Sequence, residues 1–215
     1  RLEQKGLLPE EEGWFPEKIT SAIDVVILGM HAKADNPELL KAKELGITIL
    51  SYPEFIYEHA KTKTRVVIGG SHGKTTITSM ILHVMKYHNV AVDYLVGAQL
   101  EGFDRMVHLT KENDFMLIEG DEYLSSALDT RPKFHLYKPN IALISGIAWD
   151  HINVFPTFEN YVEQFKLFVD QIVKGGILIY NEQDERVVDI VNNTTNPIRK
   201  IPYGLPAYTM EDGVT

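Results

Sequence analysis

The sequence contains no cysteine. That removes disulfides, thiolate zinc sites, iron–sulfur clusters and cysteine nucleophiles together, and it suits a reducing compartment. Long apolar runs are missing as well: none approaches the ~20 residues needed to span a bilayer, so no membrane partner is expected. The opening segment RLEQKGLLPEEE lacks the apolar stretch of a secretion signal, and a cytoplasmic location is the expectation. There is no basic excess. Twenty-one Lys and Arg against 30 Asp and Glu leave a net charge of −9, which argues against a sequence-independent nucleic-acid binder. Repeats and low-complexity tracts are also lacking. What remains is 44% hydrophobic and 24% charged over 215 residues, a globular composition. At about 150 residues per domain, that length holds one or two domains able to bury a core.

Short apolar runs alternate with longer helical patterns. Asp24–Gly29 reads as a buried strand. Asn36-Pro37 then opens a helix, Asn as N-cap and Pro in the first turn, and Gly46 closes it. Ile47–Leu50 is the next strand and Pro53–Ala60 the next helix. The alternation continues with strands at Arg65–Gly69, Asp114–Ile118, Asn140–Ile144 and Ile177–Tyr180. Helices are expected from Lys74 to about Tyr87, from Phe158 to Val173 and from Glu182 to Val191. Such alternation predicts an α/β fold with a parallel sheet and helices on its faces. The polar link Lys61–Thr64 marks a boundary between two α/β units.

The strongest local signal is the segment from Val66 to Thr76. A strand runs into Gly70-Ser71-His72-Gly73, and a helix starts at Lys74-Thr75-Thr76. Glycines let backbone N–H groups approach phosphate oxygens, and a helix N-terminus adds unpaired donors and the positive end of a dipole. Lys74 would reach the β/γ oxygens, and the Thr75 hydroxyl would ligate Mg²⁺. The spacing is the short G-x-x-G-K-T form, because Ile68 stands where the longer pattern requires glycine. A plain glycine turn before a lysine-bearing helix is the competing reading, and the strand–loop–helix context favours the phosphate cradle.

Two further groups lie just past strand ends. Glu119-Gly120-Asp121-Glu122 comes after one apolar strand and Asp150-His151 after another. Ligands of parallel sheets bind beyond the carboxyl ends of strands. Taken singly, the acidic group reads as a solvated turn and the histidine as a surface or capping residue. Histidine is also an unusual ligand for hard Mg²⁺. Three strand ends carrying Lys74 and Thr75, Glu119 and His151 make one shared site the better reading. Oxygen ligands facing a bound triphosphate suit Mg²⁺.

These three motifs, in this order and spacing, resemble the Mur ligases, the ATP-dependent amide-forming enzymes of peptidoglycan synthesis. Ser71 stands where that family usually has threonine, and Gly120 where it usually has alanine. His72 resembles the branch that uses UDP-N-acetylmuramate itself, whose members add L-alanine or L-alanyl-γ-D-glutamyl-meso-diaminopimelate. Glu122-Tyr123, Asp129–Phe134 and Trp149–Phe155 are more similar to the tripeptide-adding, recycling kind. The resemblance implies a Rossmann-like N-terminal piece over residues 1–61, the end of a UDP-sugar-binding domain, and an incomplete P-loop-type central ATP-binding domain over 62–215. It also implies a third ligase domain, expected outside these residues.

The resemblance also implies roles. Residues 70–76 (Gly70, Ser71, His72, Gly73, Lys74, Thr75 and Thr76) hold ATP. Thr75, Glu119 and His151 organise Mg²⁺, and Lys74, Glu119 and His151 serve catalysis. The reaction would join the muramyl carboxylate to an amino acid or peptide through an acyl phosphate, and the piece alone should be inactive. Phe165 occupies the place where other branches carry a carbamylated lysine. Trp14 and Trp149 read as core or domain-contact residues, and Asn181 as a turn residue. Two alternatives stay open: another P-loop kinase or NTPase, and a nucleotide-binding module without chemistry.

Overall fold

The computed structural model describes residues 11–126 and 128–205. These fall into two compact units. One takes in residues 11–55 with 124–126 and 128–130, the other residues 56–123 and 131–205.

In the first unit, β1 (Val25–Leu28) pairs in parallel with β2 (Thr48–Ser51), Val25 opposite Thr48 and Leu28 opposite Ser51. The connection between them carries α1 (Pro37–Glu44), whose N-terminus is built as the sequence predicts: the Asn36 side chain accepts from Leu39 N at 3.0 Å, with Pro in the first turn. Leu39 and Ala42 are its buried residues. Ser51 and Glu54 then form a capping box at the start of α2 (Tyr52–Ala60). Glu54 Oε2 accepts from Ser51 N at 2.7 Å, and Ser51 Oγ accepts from Glu54 N at 3.4 Å.

The second unit holds seven strands in the order β5-β4-β6-β3-β7-β8-β9. They are β3 (Thr64–Gly69), β4 (Asp93–Leu95), β5 (Val107–His108), β6 (Phe115–Glu119), β7 (Ile141–Ile144), β8 (Ile177–Asn181) and β9 (Arg199–Tyr203). All pairings are parallel except β4 with β5. The centre of the sheet is β3, flanked by β6 and β7. Its Val-Val-Ile run, with Met116-Leu117-Ile118 of β6, is continuously apolar, as strands covered on both faces must be.

Helix α3 (Lys74–Tyr87) covers one face, where Ile68, Leu82, Tyr94, Val96 and Leu117 form a buried cluster. The neighbouring position in β3 points the other way. There Phe168 of α4 (Phe158–Asp170) lies over Gly69, so close that an added Cβ would sit 3.3 Å from its ring. Phe134 stacks on Phe168 with centroids 4.5 Å apart and meets Phe165 edge-on at 5.4 Å. α5 (Glu185–Asn193) completes the order, with Asp184 as N-cap accepting from Arg186 N and Val187 N.

The strands expected from the sequence are all present, within a residue or two at their ends. β4, β5 and β9 are additions to that set. β5 has two residues, and β9 reads Arg-Lys-Ile-Pro-Tyr, a pattern that only an edge strand tolerates because Pro202 cannot donate to a ladder. The helix expected from Glu182 begins instead at Glu185, because Asp184 provides the cap. Trp14 and Trp149 are 61% and 45% exposed, so neither is a core residue. Asn181 acts as a tie, its Nδ2 donating to Ser145 O at 3.0 Å.

Two buried charges brace the sheet at the end where its strands begin. Arg65 spends its guanidinium on main-chain carbonyls of Ala60, Lys61, Lys63, Tyr137 and Lys138. Asp93 is fully buried and accepts from Lys63 Nζ at 2.8 Å, Thr110 Oγ1 at 2.8 Å and Asn113 Nδ2 at 2.9 Å, with His59 Nε2 at 3.0 Å. Burial by itself would raise its pKa, but the hydrogen bonds from Lys63, Thr110 and His59 hold the carboxyl far below the usual carboxylate range.

A depressed native pKa means that the unfolded state binds the proton more readily. This contribution is therefore complete above the unfolded pKa of about 4 and is lost as pH falls below it. Asp93→Ala, which strands the buried Lys63 ammonium, should cost about 3–5 kcal/mol in urea unfolding at pH 7. The difference from wild type should shrink in acid. A gap that persists unchanged well below pH 4 would show that the charge plays no part.

Candidate active site

The parallel register places three chain segments at one rim. Ile68 of β3 is level with Glu119 of β6, and Gly69 is level with Ile144 of β7. The segments leaving these strands therefore emerge side by side: the glycine loop from β3, the acidic segment from β6 and the Ser145–His151 segment from β7.

The loop is laced to the segment after β7. Ser145 N donates to Gly69 O at 3.1 Å, Ser71 N to Gly146 O at 3.0 Å, and Ser145 Oγ to His72 O at 2.7 Å. This lacing explains Gly70. Its φ is +127°, and an added Cβ would lie 2.1 Å from Ser145 Oγ and 3.0 Å from Ser145 N. Gly73 (φ +81°) is the N-cap of α3 and brings no side chain to the helix's first N–H groups. Those donors stay available beside the exposed His72, Gly73 and Thr76, the arrangement that suits an anion.

Lys74 and Thr75, adjacent in α3, meet two different carboxylates. Thr75 Oγ1 donates to Glu119 Oε1 at 2.7 Å, and Glu119 Oε2 accepts from Gly97 N at 2.9 Å. A Cβ at position 97 would approach Glu119 Oε1 to 2.9 Å, so a side chain there would push the carboxylate from its place. Lys74 Nζ donates to Gly70 O at 2.7 Å and lies 2.8 Å from Glu122 Oε2. Glu122 is fully buried. His151 Nε2 stands 3.5 Å from Glu122 Oε1, its ring edge-on to Tyr123 with centroids 5.2 Å apart. His151 has φ +53°, a left-handed conformation directly after Asp150, whose Oδ1 accepts from His151 N at 2.7 Å.

The residues expected to share a site thus come together at one rim, in two groups. Thr75 is with Glu119, while His151 is with Glu122 and Lys74. Glu122 belongs to the acidic motif, but the sequence does not single it out, since nothing in a run of charges says which one is buried. Asp121, Glu122 and His151 offer ligand atoms within 4.8 Å of one another, the one such cluster among the described residues. The Asp121 carboxyl would be raised by burial, but the hydrogen bond from Lys133 holds it below its ordinary value.

Tyr161 is the other site residue that the sequence conceals. There it is one aromatic on the buried face of an amphipathic helix, yet its hydroxyl is 2.9 Å from Ser71 Oγ and donates to Glu122 Oε1 at 3.1 Å. Phe165 is a core residue of α4, and Lys166 beside it is paired at the surface with Glu163.

The close approach at Gly70 predicts that Gly70→Ala costs about 3 kcal/mol, combining left-handed strain with overpacking against Ser145. Gly175→Ala, where φ is +76° and no atom lies within 4 Å, should cost only about 1–2 kcal/mol. Urea unfolding of the two variants makes the comparison. Equal losses would mean that the Ser145 contact yields freely.

Residues 68–211 match the family described as the Mur ligase middle domain. A UDP-N-acetylmuramate–L-alanine ligase from Dictyoglomus turgidum is 31% identical over 196 residues, covering 91% of this chain and 40% of its own length. One from Clostridium acetobutylicum is 33% identical, covering 83% of this chain and 38% of its own. The chain thus spans about two fifths of the length of these curated relatives. Among solved structures, the UDP-N-acetylmuramate:L-alanyl-γ-D-glutamyl-meso-diaminopimelate ligase from Neisseria meningitides superposes with a TM-score of 0.77 at 26% identity, covering 88% of this chain and 62% of that one. A glycine loop, two carboxylates and an imidazole at one rim of a mostly parallel sheet, on a segment matched across most of its length, carry the same conclusion: this chain belongs to the Mur ligase family.

Proposed function

We propose that the chain is the nucleotide-handling part of an ATP-dependent ligase. The complete protein would join the carboxylate of UDP-N-acetylmuramate to L-alanine or to L-alanyl-γ-D-glutamyl-meso-diaminopimelate, in the cytoplasm. The observation that carries this reading is the convergence of Lys74, Thr75, Glu119, Glu122 and His151 at the strand ends that flank the glycine loop. In this reading residues 62–215 form the P-loop-type central domain and residues 1–61 the end of the sugar-nucleotide domain.

The N–H groups of the loop and of the first turn of α3 would hold the phosphates, with Lys74 turning from Gly70 O, while it keeps its contact to Glu122, to neutralise the charge that builds up during transfer. The donor set fits a hard cation. Thr75 Oγ1 and Glu119 Oε1 are 2.7 Å apart, a hydroxyl and a carboxylate that would hold Mg²⁺, and Glu122 with His151 offers a second carboxylate and an imidazole at the same rim. Bound there, the cation supplies charge neutralisation of the phosphates. The γ-phosphoryl group passes to a muramyl carboxylate oxygen as ADP leaves. The amine then attacks the acyl carbon, phosphate departs and the nitrogen loses a proton, leaving the amide.

Relatives with each amine preference resemble the chain, so L-alanine and the tripeptide are both retained as candidate substrates. The piece by itself should show little or no turnover, because such sites are completed by closure of further domains.

Hydroxylamine added to the complete protein with ATP and UDP-N-acetylmuramate should give a muramyl hydroxamate. A kinase or simple ATPase gives none, and that result rejects the ligase reading. Lys74→Ala should lower kcat by at least about 10²–10³-fold. If the protein were a binding module without chemistry, the same change would weaken nucleotide binding with no turnover to lose.

A further inference from the structure

A chain of hydrogen bonds runs through Tyr161 of α4 into the site, and its direction can be read from the donors available. Ala148 N donates to Ser71 Oγ at 2.9 Å. Ser71 Oγ and the Tyr161 hydroxyl are 2.9 Å apart, and the Tyr161 hydroxyl is 3.1 Å from Glu122 Oε1. An ionised carboxylate only accepts, so the phenol must donate to Glu122. Each hydroxyl has one proton to give, so Ser71 must in turn donate to the phenol. The order Ala148 N–H, Ser71 O–H, Tyr161 O–H, Glu122 is therefore one-way.

The start of this chain is the loop after β7, and its end is the carboxylate that meets Lys74. Tyr161 is fully buried, its ring wedged between Phe155 and Phe165 at centroid distances of 5.4 and 5.3 Å. Burial, with the Glu122 charge nearby, keeps the phenol protonated against the hydrogen bond from Ser71. Among the described residues Glu122 has no other rigid tether. Its remaining partners are the flexible Lys74 side chain and His151 on a loop.

We propose that Tyr161 is a positioning residue: its hydroxyl aims the Glu122 carboxylate, and Glu122 in turn sets where the Lys74 ammonium stands at the mouth of the glycine loop. This rests on the ligase reading for its kinetic consequence, but not for its geometry. Tyr161 itself touches no reacting atom. A carboxylate left to swing about its side-chain torsions would move the lysine by a fraction of an ångström or more, which is enough to slow a reaction that depends on alignment.

The test uses the complete protein and compares Tyr161→Phe, Glu122→Gln and the double variant, well below the melting temperature of each. Tyr161→Phe keeps the packed ring and removes only the hydroxyl. It should lower kcat by about tenfold or more while leaving KM for ATP within about threefold. In the Glu122→Gln background it should add less than about twofold, because a residue that acts only through Glu122 has nothing further to lose. A kcat within twofold of wild type, or effects of the two changes that multiply independently, would overturn the proposal.

If Tyr161→Phe does not fold, Ser71→Ala removes the upstream donor and leaves the phenol, and it should give the same split at smaller size. An unchanged kcat in both Ser71→Ala and Glu122→Gln would overturn the proposal, because the carboxylate that the phenol aims would then have no effect on the reaction. If the wild-type protein forms no amide, the ligase reading fails by itself. The inference is then decided by crystal structures of wild type and Tyr161→Phe: the Glu122 carboxylate should turn and carry the Lys74 ammonium with it, and a carboxylate and lysine that keep their places without the hydroxyl would reject it.

Discussion

The parallel register of β3 with β6 and β7 is the constraint on which the rest of this structure depends. Ladder hydrogen bonds set Ile68 level with Glu119 and Gly69 level with Ile144, so three loops leave the sheet at one height. Side chains some 45 and 75 positions apart in the chain become neighbours without any long-range search by the loops themselves. A slip of one residue would turn alternate side chains to the other face and take Glu119 away from Thr75. The continuous apolar runs of β3 and β6, buried between α3 and the aromatic group of α4, are what make such a slip costly.

The second constraint is charge compensation in a partly dry pocket. Glu122 is fully buried, and a carboxylate there is tolerable only with cations and donors around it. Lys74, His151 and the Tyr161 hydroxyl provide them. The same lysine also caps Gly70 O. The cationic side chain is thus held at the loop mouth by Glu122, where a phosphate oxygen would take the place of Gly70 O. Glu119 is satisfied differently, by a hydroxyl and a backbone N–H, and two carboxylates only three residues apart come to serve two different partners.

At the opposite end of the sheet, charge is used for bracing. Arg65 and Asp93 are each saturated by partners drawn from several loops, which ties the start of the central strand to its neighbours. Fixing that end holds the strand, and the strand delivers the glycine loop. The loop's shape then depends on one close contact, Gly70 against Ser145, which excludes any side chain at that position.

Much of this was legible in the sequence. The cap at Asn36, the start of α3 at Lys74 and the core strands arise from local chemistry: a side-chain acceptor before a helix, a glycine turn after an apolar run, and β-branched residues in series. Those signals are short-range, so a linear chain carries them. The edge strand β9 hid behind a proline and two charges, because edge status is a property of the assembled sheet. The partition of the site was equally hidden. The sequence marked Lys74, Thr75, Glu119 and His151 as one group, but only the folded chain paired Thr75 with Glu119 and brought Glu122 to Lys74 and His151. Tyr161 joined them from a helix whose sequence shows only an amphipathic face. Burial and direction are set by what packs above a residue, and that information lies in contacts between segments distant along the chain.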